Sequence, residues 1–331
     1  MKRTGILIVG QGLAGTVLGW TLSRAGIDWR MIDAGHATAA SRVAAGIINP
    51  VTGQRWVKTW RIEEVWPETR NLYLDMERTL GVPLWREMKI RRYWRTDKEQ
   101  RVLLAKSTRG ELAPYVTMID AQSCVLAPAA QVDVPGMLTA ARQRWLAEGR
   151  LIEARADWGV NRPQYALVID CTGAAVRTGP FAAWSFAISK GEVLRVITRK
   201  LDSGMILHRG HWVLPVDNGD AWIGATHEPG VDNLQPTEAA RESLLASAHR
   251  LTGEVFAPTA HLVGLRLAAS DKRPVVGRHP GDPALGIMSG LGSKGVLYAP
   301  WLARQWREHL LHGKAFDPAV SITRGDGGGE V

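Results

Sequence analysis

The chain has 331 residues, 45% of them hydrophobic and 22% charged, which is the composition of an ordinary globular protein with ample core. It holds no run of about 18 apolar residues, so no membrane-spanning helix is expected, and its two cysteines, Cys124 and Cys171, exclude a disulfide framework or a cysteine metal cluster and fit a reducing cytoplasm. The formal net charge of +9 leaves open a nucleic-acid partner or the steering of an anionic substrate.

Met1-Lys2-Arg3 followed by an apolar run has the outline of a signal peptide. The run carries no cleavage site and is punctuated by glycines, so a strand is expected there and no leader. Ile6 to Val9 reads as that strand, ending at Gly10. Gly12 and Gly15 follow in GxGxxG spacing, then an amphipathic segment, then a second apolar run from Trp29 to Ile32 that ends at Asp33. This order of strand, glycine turn, helix, strand and acid binds a dinucleotide. Gly10 allows the tight turn, Gly12 opens the backbone to a pyrophosphate, and Gly15 lets the helix pack on the strand. The helix N-terminus offers free N–H groups to phosphate, and Asp33 can accept from ribose hydroxyls. Gly10, Gly12, Leu13, Ala14, Gly15, Asp33 and Ala34 are the candidate contacts.

The segment 40–58, rich in small residues, suits a loop where backbone lies against a ligand, with Ala45, Gly46 and Ile47 as candidates. Residues 61–81 read as a helix with Val65, Leu72, Leu74 and Leu80 toward the core. Residues 88–104 mix strand-like and charged character. Lys89 to Arg95, with Lys98 and Arg101, interleaves basic and aromatic residues, a pattern that suits RNA as well as a solvated face. A helix is expected between Asp133 and Gly149, and a buried strand in YALVIDCTGAA runs into a glycine turn at Thr172 and Gly173. EVLRVI, WVLPV and AWIGAT are short strands between 186 and 226. A helix capped by Thr237 follows, then a strand, glycine loop and helix in LGIMSGLGSKGVLYAPWLARQW. The glycine-rich tail 325–331 is expected to be disordered.

Six stretches in this order make the chain similar, over nearly its full length, to the D-amino-acid oxidase/glycine oxidase superfamily of FAD-dependent oxidoreductases. They are the GxGxxG unit with Asp33, SRVAAGIINP, VIDCTGAAV, WVLPVDNGDAWIGATHEP, VGLRLAASDKRPVVGRHP and SGLGSKGVLYAP. The resemblance implies an α/β protein in which a Rossmann-like FAD-binding domain (1–80, 120–180 and 262–324) interleaves with a mixed or antiparallel-sheet substrate domain (81–119 and 181–261). It implies FAD, held without a covalent bond because neither cysteine lies near the last glycine loop. It places Gly290, Gly292, Ser293, Lys294 and Gly295 at a second helix N-terminus, suited to the negative charge of a reduced flavin ring, with Lys294 reinforcing that charge.

The activity implied is hydride removal from a carbon bearing an amine, giving an imine that water hydrolyses. Arg266 is the residue expected to hold a substrate carboxylate; the structural alternative pairs it with Asp271 or another acid. His208 and His211 are expected to be surface or core histidines, and His227 and Glu228 to sit at a hairpin end. Lys190-Gly191-Glu192 reads as structural, Cys171 as an inert core thiol. Trp56 and Trp60 either wall a pocket or pack a helix. The substrate is expected to be a small amine or amino acid, with dioxygen or another acceptor taking the electrons. The alternatives are a tRNA-modifying oxidase acting on a carboxymethylaminomethyl-type uridine, since GLGSKG and RLAASDKRPVVG look close to the oxidase half of the bifunctional tRNA 5-methylaminomethyl-2-thiouridine enzyme, and a non-catalytic flavoprotein.

Overall fold

An apolar run buried on both faces belongs in the middle of a parallel sheet. In the computed structural model, which describes residues 5–35, 39–198, 201–216 and 219–324, the strand Ile6–Val9 is buried along its whole length. It pairs in parallel with Trp29–Asp33 on one side and Leu167–Asp170 on the other. The sheet has six strands in the order 275–279, 282–289, 167–170, 6–9, 29–33, 151–153, and the first of these is an antiparallel edge. Helix Leu13–Arg24 follows the first strand and packs against the last helix, Gly295–His312. The tail 325–331 lies outside the described residues.

The second sheet has ten strands. Its main path runs 228–229, 186–197, 220–224, 211–215, 205–209, 85–93, 123–132, 47–48, with 258–269 pairing on 186–197 and 116–119 on 123–132. Neighbours are antiparallel except where 205–209 meets 85–93. The mixed α/β class expected from the sequence is therefore present, with the chain passing from one sheet to the other and back twice. The long strand Pro258–Ala269 runs beside Phe186–Ile197 in a register that sets Ser189 opposite Arg266 and Gly191 opposite Gly264.

The helices start where the capping residues predict. Asp133 accepts from Gly136 N at 3.1 Å and opens Val134–Ala147; Thr237 accepts from Ala240 N at 3.3 Å and opens Glu238–Thr252. The segment 88–104 resolves into the end of strand Trp85–Tyr93 and most of helix Asp97–Thr108. The helix expected at 61–81 spans Ile62–Leu80, but its buried stripe differs from the expectation. Ile62, Val65, Thr69, Tyr73 and Met76 are buried, whereas Leu72, Leu74 and Leu80 are only half-buried. The stripe keeps helical spacing and includes two polar side chains because each finds an acceptor. Thr69 Oγ1 donates to Leu297 O at 2.7 Å and Tyr73 Oη to Val296 O at 3.0 Å, tying this helix to the last one.

Candidate functional site

A cavity of about 870 Å³ extends from the first glycine turn to the second sheet. It lies near the upper end of the range of about 300–1,000 Å³ found for small-molecule sites. Its wall is built by loops from both sheets, and most residues singled out in the sequence meet there.

At one end, strand Ile6–Val9 delivers Gly10, Gly12, Leu13 and Ala14 to the wall. Gly15 stands behind it. A Cβ on Gly15 would lie 1.9 Å from Gly10 O, so the third glycine is what allows the helix to sit against the strand end. Leu13 N, at the start of that helix, donates to Ser41 Oγ at 3.0 Å. Ser41 is on the wall and leaves its own hydroxyl hydrogen available. Sequence reasoning did not single out Ser41, although its loop of small residues was the signal. Asp33 and Ala34 are on the wall. One Asp33 carboxylate oxygen accepts from Gln11 N at 2.8 Å; the other accepts from Gly35 N at 3.0 Å and from Arg142 at 3.1 Å. Ala45, Gly46 and Ile47 line one flank, and Thr172 and Gly173 another.

The late glycine loop brings Gly290, Gly292, Ser293 and Gly295 to the same cavity. Gly292 N donates to Leu267 O at 2.8 Å, which ties the loop to the second sheet. Helix Gly295–His312 begins at the wall, and its first N–H groups have no acceptor within the helix. Lys294 is the N-cap residue of this helix but is not part of the wall. Its side chain is half-buried, and burial lowers its pKa.

Arg266, on the strand Pro258–Ala269, also lines the cavity. Its guanidinium lies across Gly191, and Nη1 donates to Thr226 O at 3.1 Å. Burial lowers its pKa, and no acid among the described residues offsets this. Asp271, one acid that could have paired with it, pairs with Arg324 at 2.9 Å instead. Arg266 is thus a cavity-lining cation with no carboxylate partner among the described residues. Trp212, Val193 and His227 also line the cavity. Burial, then the charges of Arg266 and Lys272, lower the His227 pKa. The sequence expectation of a hairpin end understates His227; the signal was its place directly after GAT. Glu228 belongs to an edge strand that pairs with Ser189 and Lys190.

Other candidates sit elsewhere. Neither His208 nor His211 is on the wall. His208 is pushed down to about 3 by burial and by Arg92 and Arg95. The pocket-wall reading of the tryptophans is corrected. Trp56 is fully buried and donates to Glu99 O at 2.9 Å, with Arg92 over its ring at 3.8 Å, while Trp60 packs edge-on against Tyr298 and Trp301. In the basic stretch three arginines contact the fold, while Lys89, Lys98 and Arg101 are exposed. Arg92 is 4% exposed and donates to Gly53 O at 2.7 Å, Arg91 pairs with Asp120 at 3.0 Å, and Arg95 pairs with Glu99 at 2.8 Å. Both cysteines are free and buried, Cys171 on the cavity wall; burial pushes the Cys124 thiol up to about 12 and also raises the Cys171 thiol. Among the described residues no group of His, Cys, Asp and Glu is placed to hold a metal ion, and no helix is long and apolar enough to cross a membrane.

The sequence profile of the FAD dependent oxidoreductase family matches residues 5–306. Glycine oxidase of Pseudomonas aeruginosa is 34% identical over 119 residues, which cover 35% of this chain and 32% of that protein. The tRNA 5-methylaminomethyl-2-thiouridine biosynthesis bifunctional protein of Maricaulis maris is 36% identical over 107 residues, covering 32% of this chain and 17% of that protein. In each case the alignment spans well under two thirds of the relative. In three dimensions the chain is similar to glycine oxidase from Geobacillus kaustophilus, with a TM-score of 0.81 at 20% identity, covering 98% of this chain and 99% of that one. At that identity the likeness establishes the fold.

Proposed function

The chain belongs to the FAD dependent oxidoreductase family, and on that premise we propose that it oxidises the C–N bond of a small amino acid or amine. Arg266 carries this reading, as a cavity-lining cation that has no partner carboxylate among the described residues. The residues fit FAD. The turn from Gly10 to Ala14 and the hydroxyl of Ser41 would hold the pyrophosphate, and Asp33 the ribose side. Ala45, Gly46, Ile47, Thr172 and Gly173 would flank the cofactor, and Gly290 to Gly295 would face its ring with a helix N-terminus. Lys294, behind that N-terminus, would add positive charge at a distance. FAD is held without a covalent bond in this reading, both thiols being buried and neutral.

When bound, FAD supplies the acceptor for a hydride. The protein's own part is to bind and orient. Arg266 would take the substrate carboxylate through two parallel hydrogen bonds, which sets the amine-bearing carbon at a defined place in the cavity. Trp212 and Val193 line the same cavity with apolar surface. The substrate loses a hydride from carbon and a proton from nitrogen. The resulting imine takes up water and releases the amine as a carbonyl compound forms. Anaerobic addition of glycine, other small amino acids and simple amines tests this. Bleaching of the flavin absorbance by a small amino acid is expected, and a panel that leaves the flavin oxidised throughout would overturn it.

A second reading follows from the partial match to the Maricaulis maris protein and from the net charge of +9: an oxidase acting on a carboxymethylaminomethyl-type uridine of tRNA. It requires phosphate contacts, hence a steep fall of tRNA affinity with salt. Arg91, Arg92 and Arg95 already serve the fold, so we rank it second.

A further inference from the structure

We propose that Thr226 is a positioning residue that sets carboxylate specificity, by clipping the Arg266 guanidinium to the strand Phe186–Ile197. This rests on the role given to Arg266 above. An arginine side chain has several rotatable bonds and is fixed only by what it touches. Arg266 meets two things. Gly191 lies beneath it, so close that a Cβ there would come within 2.1 Å of Nη1. Thr226 O accepts from Nη1 at 3.1 Å. The direction of the guanidinium is therefore set by where that one carbonyl points.

The Thr226 peptide is held on both sides by one residue. Thr226 N donates to Glu192 O at 3.1 Å, and Glu192 N donates to Thr226 Oγ1 at 2.9 Å. The side-chain bond matters because the Glu192 N–H is spent on a hydroxyl and not on a ladder carbonyl. The chain at Thr226 has left the strand Asp220–Gly224 and has no ladder of its own there. Glu192 is in turn immobile. Its carboxylate is fully buried and meets Lys190 Nζ at 2.9 Å, Thr237 N at 2.9 Å, Thr237 Oγ1 at 3.0 Å and His261 Nε2 at 2.7 Å. A buried ionic cluster thus anchors one strand, that strand grips Thr226, and Thr226 holds the arginine. Lys190, Gly191 and Glu192, which read as structural in the sequence, supply both the anchor and the floor of this device.

The test uses the FAD-loaded enzyme. Thr226→Val keeps the branched shape and removes the hydroxyl acceptor; Thr226→Ala removes it without adding a methyl, should the valine variant fold poorly; Thr226→Ser restores it. Two quantities are read: the Kd of acetate from the change in flavin absorbance, and the ratio of kcat/KM for glycine over methylamine. We expect the hydroxyl-free variants to bind acetate at least tenfold more weakly and to lose at least tenfold in the ratio, mainly through KM for glycine. Thr226→Ser should stay within about threefold of the parent. On an Arg266→Met background, removing the hydroxyl should cost nothing further, because the two residues act as one unit. Acetate affinity and ratio within twofold of the parent in both hydroxyl-free variants would overturn the proposal. So would a loss of equal size on the Arg266→Met background. If Arg266→Met itself leaves acetate binding unchanged, the reading of Arg266 fails instead, so the two failures are distinguishable.

Discussion

Replacing Arg266 by methionine keeps the aliphatic stem and removes the charge. The guanidinium is half-buried, donates to Thr226 O at 3.1 Å and meets no carboxylate of the protein among the described residues. A substrate carboxylate would supply the missing partner, and in the variant it would enter the same site without one. Losing one member of such a buried charge pair costs about 2–5 kcal/mol. At about 1.4 kcal/mol per decade, kcat/KM for a small amino acid should fall by roughly 30-fold to a few thousand-fold. A simple amine of similar size should be far less affected. Stability should move the other way or stay level, since burial of an uncompensated cation is unfavourable in the ligand-free protein. Steady-state kinetics with glycine and methylamine, together with thermal unfolding, read both effects. An amino-acid kcat/KM within twofold of the parent, or an equal loss for amine and amino acid, would refute the reasoning.

Gly15→Ala places a methyl 1.9 Å from Gly10 O, a backbone atom that cannot step aside; overpacking of about 1–3 kcal/mol should appear as a lower Tm and reduced flavin content after purification. Asp170 is fully buried, and burial pushes its pKa up to about 6 from an unfolded value near 3.8. Because the folded value is the higher, the stability it contributes is complete below about pH 4 and is lost as pH rises past 6, a swing of about 3 kcal/mol at about 1.36 kcal/mol per unit. Asp170→Asn, whose oxygen can keep the bonds from Thr172 N and Oγ1, should flatten Tm between pH 4 and 7, and an unchanged pH profile in urea or heat would count against the assignment. Glu192→Gln leaves buried Lys190 without its carboxylate and should destabilise by about 3–5 kcal/mol in urea unfolding. Adding Lys190→Met should recover part of that loss.

Local rules made much of this protein legible. The glycine spacing after Ile6–Val9 dictates a turn and a helix start, because those backbone shapes depend on the residues that adopt them. The same holds for the caps at Asp133 and Thr237, for the strand into Thr172 and for the late loop at Gly290 to Gly295. The glycine-turn wall of the cavity was readable for that reason, Ser41 excepted. The stripe of helix Ile62–Leu80 was not, because Thr69 and Tyr73 are buried only by virtue of acceptors on the last helix.

The sequence alone therefore determined the α/β class and the glycine turn after the first strand, and it singled out Arg266, each from a short stretch. Tertiary structure decided what surrounds Arg266: that Asp271 pairs with Arg324, that Gly191 leaves room beneath the guanidinium, that Thr226 holds it and that His227 reaches the wall. It also decided that Trp56 and Arg92 are buried against each other in the core. The physical reason is register. Ser189 faces Arg266 because two long strands pair in one alignment, and a slip of one residue would turn every side chain to the opposite face. That alignment is settled by packing across the whole sheet, and no local pattern of residues records it.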